Sequence, residues 1–305
     1  MTNLIVLVLC FVLGIALRRS GRLPDEAHRT LNAFIINVAL PALVLRYVHE
    51  LRPDPALLFP AAMPWVMFAL GMAFFAALGR AAGWSRQTTG GLMLSGGLAN
   101  TSFVGLPMIE TFYGPSFLGV GILVDQLGTY MVLSTVGVVV AALCSVGDAS
   151  GGVRPGPILR RILVFPPFQA LALGLLLIPV HYPAAFTAVL DRLGGTLTPL
   201  ALVSVGFQLR LGELRSNARE LSAGLLYKLV LGPALISVLF VFGLHGSGTV
   251  MQVTVFEAAM GPQIGAAIVA MEHGLNPRLV SLMVGVGIPV SLLTAAAWSQ
   301  LLWSV

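Results

Sequence analysis

The chain has 305 residues, 57% of them hydrophobic and only 10% charged, with a mean hydropathy of +0.93. A soluble domain carries about 25% charge, so the composition excludes a water-soluble globule and a cytosolic enzyme, along with a disordered, collagen-like or disulfide-built chain, and leaves a polytopic membrane protein. The net charge of +5 and pI near 9.8 point to arginines in cytoplasmic loops rather than to nucleic acid. At about 20 residues per span plus short loops, the length suits about ten helices. Cys10 and Cys144 lie in apolar runs and read as free packing thiols.

Apolar runs bounded by charge or by Pro/Gly clusters predict spans in chain order. The first covers 4–17 and stops at Arg18-Arg19. It lacks the basic start and small-residue cleavage site of a signal peptide, so it reads as a span. The others fall near 31–48, 57–79, 88–109, 116–145, 159–179, 184–209, 221–244, 249–271 and 278–303. The odd-numbered loops hold thirteen arginines, among them Arg18, Arg80, Arg154, Arg161, Arg210, Arg215 and Arg278, against Arg46 and Arg52 on the other side. The positive-inside rule then puts the odd loops in the cytoplasm of a multi-pass inner (cytoplasmic) membrane protein, with both termini outside.

The longest polar stretch, Ser145 to Pro157, divides the spans five and five. The predicted organisation is a first repeat over 1–147, a cytoplasmic linker at 148–157 and a second repeat over 158–305. Five is odd, so the second repeat must be inverted. Ala39-Leu40-Pro41-Ala42-Leu43-Val44 in span 2 is echoed by Leu197-Thr198-Pro199-Leu200-Ala201-Leu202 in span 7. Inverted repeats with interrupted helices at matching places point to a secondary transporter with its site at the repeat interface.

Spans 4 and 9 carry those interruptions. Span 4 has five glycines before Pro107 and a polar triplet, Asn100-Thr101-Ser102, at mid-membrane. Span 9 reads Phe256-Glu257-Ala258-Ala259-Met260-Gly261-Pro262-Gln263. Pro262 removes a backbone donor and clashes one turn back, and Gly261 permits the break. Gly90, Gly91 and Gly105 read more simply as packing contacts. Non-helical backbone at this depth must be buried in protein or line a wet cavity. Met93, Phe103, Met260 and Ile264 are candidate apolar walls, although such residues suit core packing equally.

The stretch Leu98-Ala99-Asn100-Thr101-Ser102-Phe103-Val104-Gly105-Leu106-Pro107 resembles the fourth-helix motif of the auxin efflux carrier family, and Ala259-Met260-Gly261-Pro262-Gln263 resembles its ninth-helix motif. Leu31-Asn32 with Leu40-Pro41, Pro166-Pro167, and Gly285 with Gly287-Ile288-Pro289 are also similar. The resemblance runs the whole chain. It implies an all-α fold of ten transmembrane helices in two inverted five-helix repeats, with helices 1, 2, 6 and 7 as scaffold. Helices 3–5 and 8–10 would form a mobile core in which broken helices 4 and 9 cross. Plant members carry a proline just before the helix 4 asparagine. Ala99 stands there, implying a softer break, and the ninth-helix proline is displaced by one, to Pro262. The long cytoplasmic loop of some plant members is absent.

Ionisable groups inside spans are functional candidates because burying them costs several kcal/mol. Asp125 and Thr129 share a face of span 5 at i and i+4. With Asn100, Thr101 and Glu257 they offer hard oxygens of the kind a small cation prefers. The distantly related bile acid sodium symporters use a glutamate just before the helix 9 break to bind sodium, and Glu257 matches that place. A proton-carrying acid and a structural, hydrogen-bonded carboxyl are the alternative readings. Lys228 either snorkels to the headgroups or pairs with a buried carboxylate. Asp191-Arg192 reads as a local pair, and Glu110, Glu272 and His273 as solvated helix ends.

The expected function is a secondary transporter of a small organic anion, with Ala99, Asn100, Thr101, Gly261, Pro262 and Gln263 at the substrate and Glu257, Asp125 and Thr129 at a coupling ion. The expected partners are that anion, the lipid bilayer and a second copy through the scaffold helices, with no nucleic acid, and no cofactor beyond sodium. An intramembrane enzyme would need a nucleophile or metal motif, and neither HExxH nor GxSxG is present. A channel, an uncoupled uniporter and a receptor are the remaining alternatives.

Overall fold

The computed structural model describes residues 2–52, 54–145, 155–208 and 217–302, without the side chains of 2–4, 155 and 161. Most of the linker at 148–157, with Arg154, Arg210 and Arg215, and the side chain of Arg161 lie outside the described residues. Secondary structure in the described part is helical, apart from one isolated antiparallel bridge. In chain order the helices are α1 (Thr2–Ser20), α2 (Ala27–Val48), α3 (Pro55–Ala82), α4a (Arg86–Gly97), α4b (101–112), α5 (Pro115–Cys144), α6a (Pro155–Val164), α6b (Pro166–Leu176), α7 (Ala184–Gln208), α8 (Ala218–Gly243), α9a (Thr249–Ala258), α9b (Ile264–Glu272) and α10 (Pro277–Leu302).

Six of these, α2, α3, α5, α7, α8 and α10, are long and apolar enough to cross a membrane by themselves. Gly156–Val164 and Pro166–Leu176 add a seventh if taken as one span bent by 67°. The ten spans expected from the sequence therefore exceed what helix length and composition show. The bend falls where Phe165 is extended ahead of Pro166, whose ring disfavours a helical predecessor. Local signals set other boundaries. Gly83 caps α3 at φ +67°, in the left-handed region, and Ser85 caps α4a by accepting the Thr88 N–H at 3.2 Å.

The chain forms two compact units, and their division cuts helices 4 and 5. The first gathers Met1–Asp54, Ser102–Ile122 and Leu159–Leu209. In lipid no hydrophobic drive brings helices together, so close approach of small residues carries the packing. Gly14 of α1 lies on Gly206 of α7, and a Cβ at either would strike the other helix's backbone. Arg18 closes the contact by donating from Nη1 to the Phe207 carbonyl at 2.9 Å. Asn32, from the Leu31-Asn32 motif, accepts from the Ser204 hydroxyl at 2.5 Å. Asp191 does not pair with Arg192 as expected from their adjacency. It accepts from Arg46 Nε at 2.8 Å, while Arg46 also pairs with Glu50. Neighbours in sequence on a helix point about 100° apart, which leaves Asp191 aimed at α2. Glu110 is not a simply solvated end either. It accepts from the Thr198 hydroxyl at 2.7 Å in a half-buried setting.

The second unit gathers Pro55–Thr101, Leu123–Ile158 and Arg210–Val305. Its helices α5 and α8 contain wide π-helical turns at Val124–Thr129 and Tyr227–Leu231. Such turns interrupt the regular ladder and are frequent at functional sites. Each meets a tryptophan. Trp65 donates to the Leu127 carbonyl at 3.0 Å, and Trp298 to the Leu229 carbonyl at 2.9 Å. Gly90 and Gly91 are packing contacts, against Cys144 and Leu275. Both cysteines are free thiols.

The α1–α7 contact gives the first prediction. Gly206→Leu should destabilise the protein by about 1–3 kcal/mol or more through overpacking, whereas Gly156→Ala, with open space around its Cβ position, should change little. Thermal melting of both variants in detergent checks this.

Candidate functional site

The breaks in helices 4 and 9 meet within the second unit. Helix 4 leaves its spiral at Leu98, with φ −113° and ψ 139°, and resumes at Thr101. Helix 9 leaves after Ala258 and resumes at Ile264, following the extended Gln263. The two extended segments form the isolated bridge, with Ala99 opposite Pro262. The Asn100 N–H donates to the Gly261 carbonyl at 2.8 Å, and the Gln263 N–H donates to the Leu98 carbonyl at 3.2 Å. These bonds use only the residues flanking Ala99 and Pro262. A proline at the bridge centre therefore forfeits no hydrogen bond there. Helix 4 breaks fully although Ala99 replaces the proline expected from plant relatives, because the bridge supplies partners that a helix would otherwise provide.

Glycines let neighbouring helices close on the bridge. A Cβ on Gly261 would sit 2.8 Å from Ser291 Oγ and 3.0 Å from Ile288 Cα, and one on Gly287 would sit 2.6 Å from Pro262 Cδ. The glycine motif of α10 is thus the complement of the helix 9 break.

The structure brings together Ala99, Asn100, Thr101, Gly261, Pro262 and Gln263, and joins Asp125 to them. The Thr101 hydroxyl donates to Asp125 Oδ1 at 2.6 Å, and Gln126 Nε2 donates to Asp125 Oδ2 at 2.7 Å. Asn100, Thr101, Asp125 and Gln126 are buried, and Gln263 is half-buried. Glu257 is fully buried one residue from the end of α9a, within electrostatic range of Asp125 and Lys228. Both its carboxyl oxygens lack a hydrogen-bond partner among the described residues, as do Thr129 Oγ1, Gln126 Oε1 and Gln263 Oε1. Thr129 is buried in the same π turn as Asp125 but makes no hydrogen bond to the bridge group among the described residues. Of the candidate apolar walls in this unit, Met260 and Ile264 are buried and Met93 is partly buried against core clusters.

Sequence reasoning missed one member, Gln126, and left the role of another, Lys228, open. Gln126 was legible as a second polar residue beside Asp125 in an apolar span. Of the two roles expected for Lys228, snorkelling does not hold, whereas a buried position within electrostatic range of a carboxylate, Glu257, does. Lys228 is fully buried, so it does not snorkel, and its Nζ donates to the Ala258 carbonyl at 2.8 Å rather than directly to a carboxylate.

Buried polar backbone and paired half-helices inside an apolar helical chain define a polytopic membrane transporter. A family model described as membrane transport protein matches residues 1–145 and 156–299. The chain belongs to this auxin efflux carrier-like family. It is 28% identical to an uncharacterized transporter of Methanothermobacter thermautotrophicus over 305 residues, covering 99% of this chain and 97% of the relative. It is 25% identical over 311 residues to an uncharacterized transporter of Methanocaldococcus jannaschii, covering 98% and 97%. The family and these names point to a transporter and away from an enzyme.

The close fit of α10 on the break gives the second prediction. Gly287→Ala should displace Pro262 and lower stability by about 1–3 kcal/mol, with loss of transport at least as large as the loss of folded protein. Melting and vesicle uptake measured on the same preparation check this.

Proposed function

We propose that the protein is a secondary active transporter of a small organic anion, a carboxylate, working by an elevator-type alternation across the cytoplasmic membrane. The observation that carries this reading is the bridge at Ala99 and Pro262. It brings to one place the starts of two half-helices, at Thr101 and Ile264. Helix starts present unpaired N–H groups and a positive dipole end. Two of them favour an anion without a buried arginine, as at other helix-terminus anion sites. Asn100 is the proposed direct hydrogen-bond donor, with Thr101 and Gln263 beside it.

In this reading the membrane holds ten spans as two inverted repeats, with α6 bent and α4 and α9 broken. Helices 1, 2, 6 and 7 are the scaffold and 3–5 and 8–10 the moving core. The separation of Met1–Asp54 and Leu159–Leu209 from Pro55–Thr101, Leu123–Ile158 and Arg210–Val305 as compact units supports two bodies, although Ser102–Ile122, from helices 4 and 5, groups with the first. The arginine bias supports termini on the outside. Glu257, Asp125 and Thr129 are the groups through which a small cation or a proton would couple to the anion.

A thermal-shift screen of carboxylates graded by size, with uptake into vesicles, tests the substrate class. Asn100→Ala should abolish the shift given by the best carboxylate, at least a tenfold loss of affinity, while the unliganded protein still melts cooperatively. Near wild-type affinity in that variant would put the site elsewhere. Slow, saturable uptake supports a carrier, and fast unsaturable flux would favour a channel. If a cation couples, its binding must tighten carboxylate binding by the same factor as the reverse, which paired titrations check.

A further inference from the structure

Lys228 lies on the π-helical turn Tyr227–Leu231 of α8 and is fully buried. Its Nζ donates to the Ala258 carbonyl at 2.8 Å and lies 4.0 Å from Met67 Sδ. Ala258 is the last residue of α9a, where carbonyls lose their helical partners and the negative end of the half-helix dipole falls. Glu257 stands beside it, with both carboxyl oxygens lacking a hydrogen-bond partner among the described residues. Asp125 in turn acts electrostatically on Glu257, and its two oxygens are each held by an uncharged donor, Thr101 and Gln126. The acid that acts directly on the ammonium is therefore Glu257.

A free sodium ion at a broken helix is held by carbonyls that the break releases, together with side-chain oxygens. Here such a carbonyl is already occupied by a cation that belongs to the chain. Its position is fixed from both sides. The Tyr227 hydroxyl donates to the Met67 carbonyl at 2.8 Å, and Trp298 holds the Leu229 carbonyl of the same turn. An ammonium buried without countercharge would cost several kcal/mol, so its placement beside Glu257 and a helix C-terminus has an electrostatic reason.

We infer that the Lys228 ammonium is the built-in monovalent cation of the helix 9 break, standing where a free sodium ion would otherwise bind, and that this carrier does not depend on sodium. The inference rests on the reading of the two breaks as the transport site. A tethered cation neutralises the end of α9a without leaving to either side of the membrane.

The test follows melting of the purified full-length protein as sodium chloride replaces choline chloride at constant ionic strength. The wild-type melting temperature should not respond. Lys228→Ala and Lys228→Gln should melt lower and regain stability saturably with sodium or methylammonium, by about 2 °C at roughly ten times the dissociation constant. Glutamine keeps a donor for the Ala258 carbonyl but no charge, so a merely structural hydrogen bond predicts that Lys228→Gln ignores cations. A saturable sodium response in the wild type, or indifference of the folded variants to both cations, overturns the inference. Should neither variant fold, the wild-type titration decides alone: a flat response supports the inference and a saturable one overturns it. Melting needs no substrate. A failed carboxylate screen therefore leaves this result standing, and a sodium response here leaves the carboxylate reading standing.

Discussion

Backbone polar groups released inside an apolar environment must find partners, because each one left unsatisfied there costs several kcal/mol. Two helices of this protein release such groups, and they satisfy each other. Asn100 N–H meets the Gly261 carbonyl and Gln263 N–H meets the Leu98 carbonyl. Neither break could satisfy these backbone groups by itself. Each exists because the other supplies a donor and an acceptor at extended-strand spacing. The surrounding features of the second unit follow from this pairing: Gly287 and Gly261 make room for it, Thr101 hands its hydroxyl to Asp125 as helix 4 resumes, and Lys228 takes a carbonyl at the end of α9a.

The same constraint explains why polar side chains gather here. A break cannot be insulated by lipid, so it recruits groups that can hydrogen-bond. Asp125 satisfies both oxygens locally, whereas Glu257, Thr129 and Gln263 keep oxygens without partners among the described residues. Buried polar groups left in that state cost stability. The first unit shows the contrasting solution. Its polar contacts, Ser204 to Asn32 and Arg18 to Phe207, are closed pairs that lock helices together, and its helix contact is built on glycines.

The π turns in α5 and α8 belong to the same logic. Asp125 and Lys228, the ionisable groups that act electrostatically on Glu257, both lie on such turns. Widening a helix changes where consecutive side chains point. At 227–228 it lets Tyr227 reach the Met67 carbonyl while Lys228 reaches Ala258. Regular 3.6-residue spacing, from which Asp125 and Thr129 were matched on one face, does not describe these turns.

The sequence by itself determined the class of the protein, its helical character, the two break points and their kinship, because these depend on composition, on proline and glycine chemistry and on motifs local in the chain. It also identified Asn100, Asp125 and Glu257, since a polar residue in an apolar span stands out without any fold. Only the tertiary structure decided who meets whom. The pairing of 98–100 with 261–263, the tie of Thr101 to Asp125, the capture of the Ala258 carbonyl by Lys228 and the turn of Asp191 away from Arg192 to Arg46 join residues from different helices. Sequence spacing carries no record of such contacts. They are set by how helices pack and by where π turns rotate a side chain, and those depend on the whole chain at once.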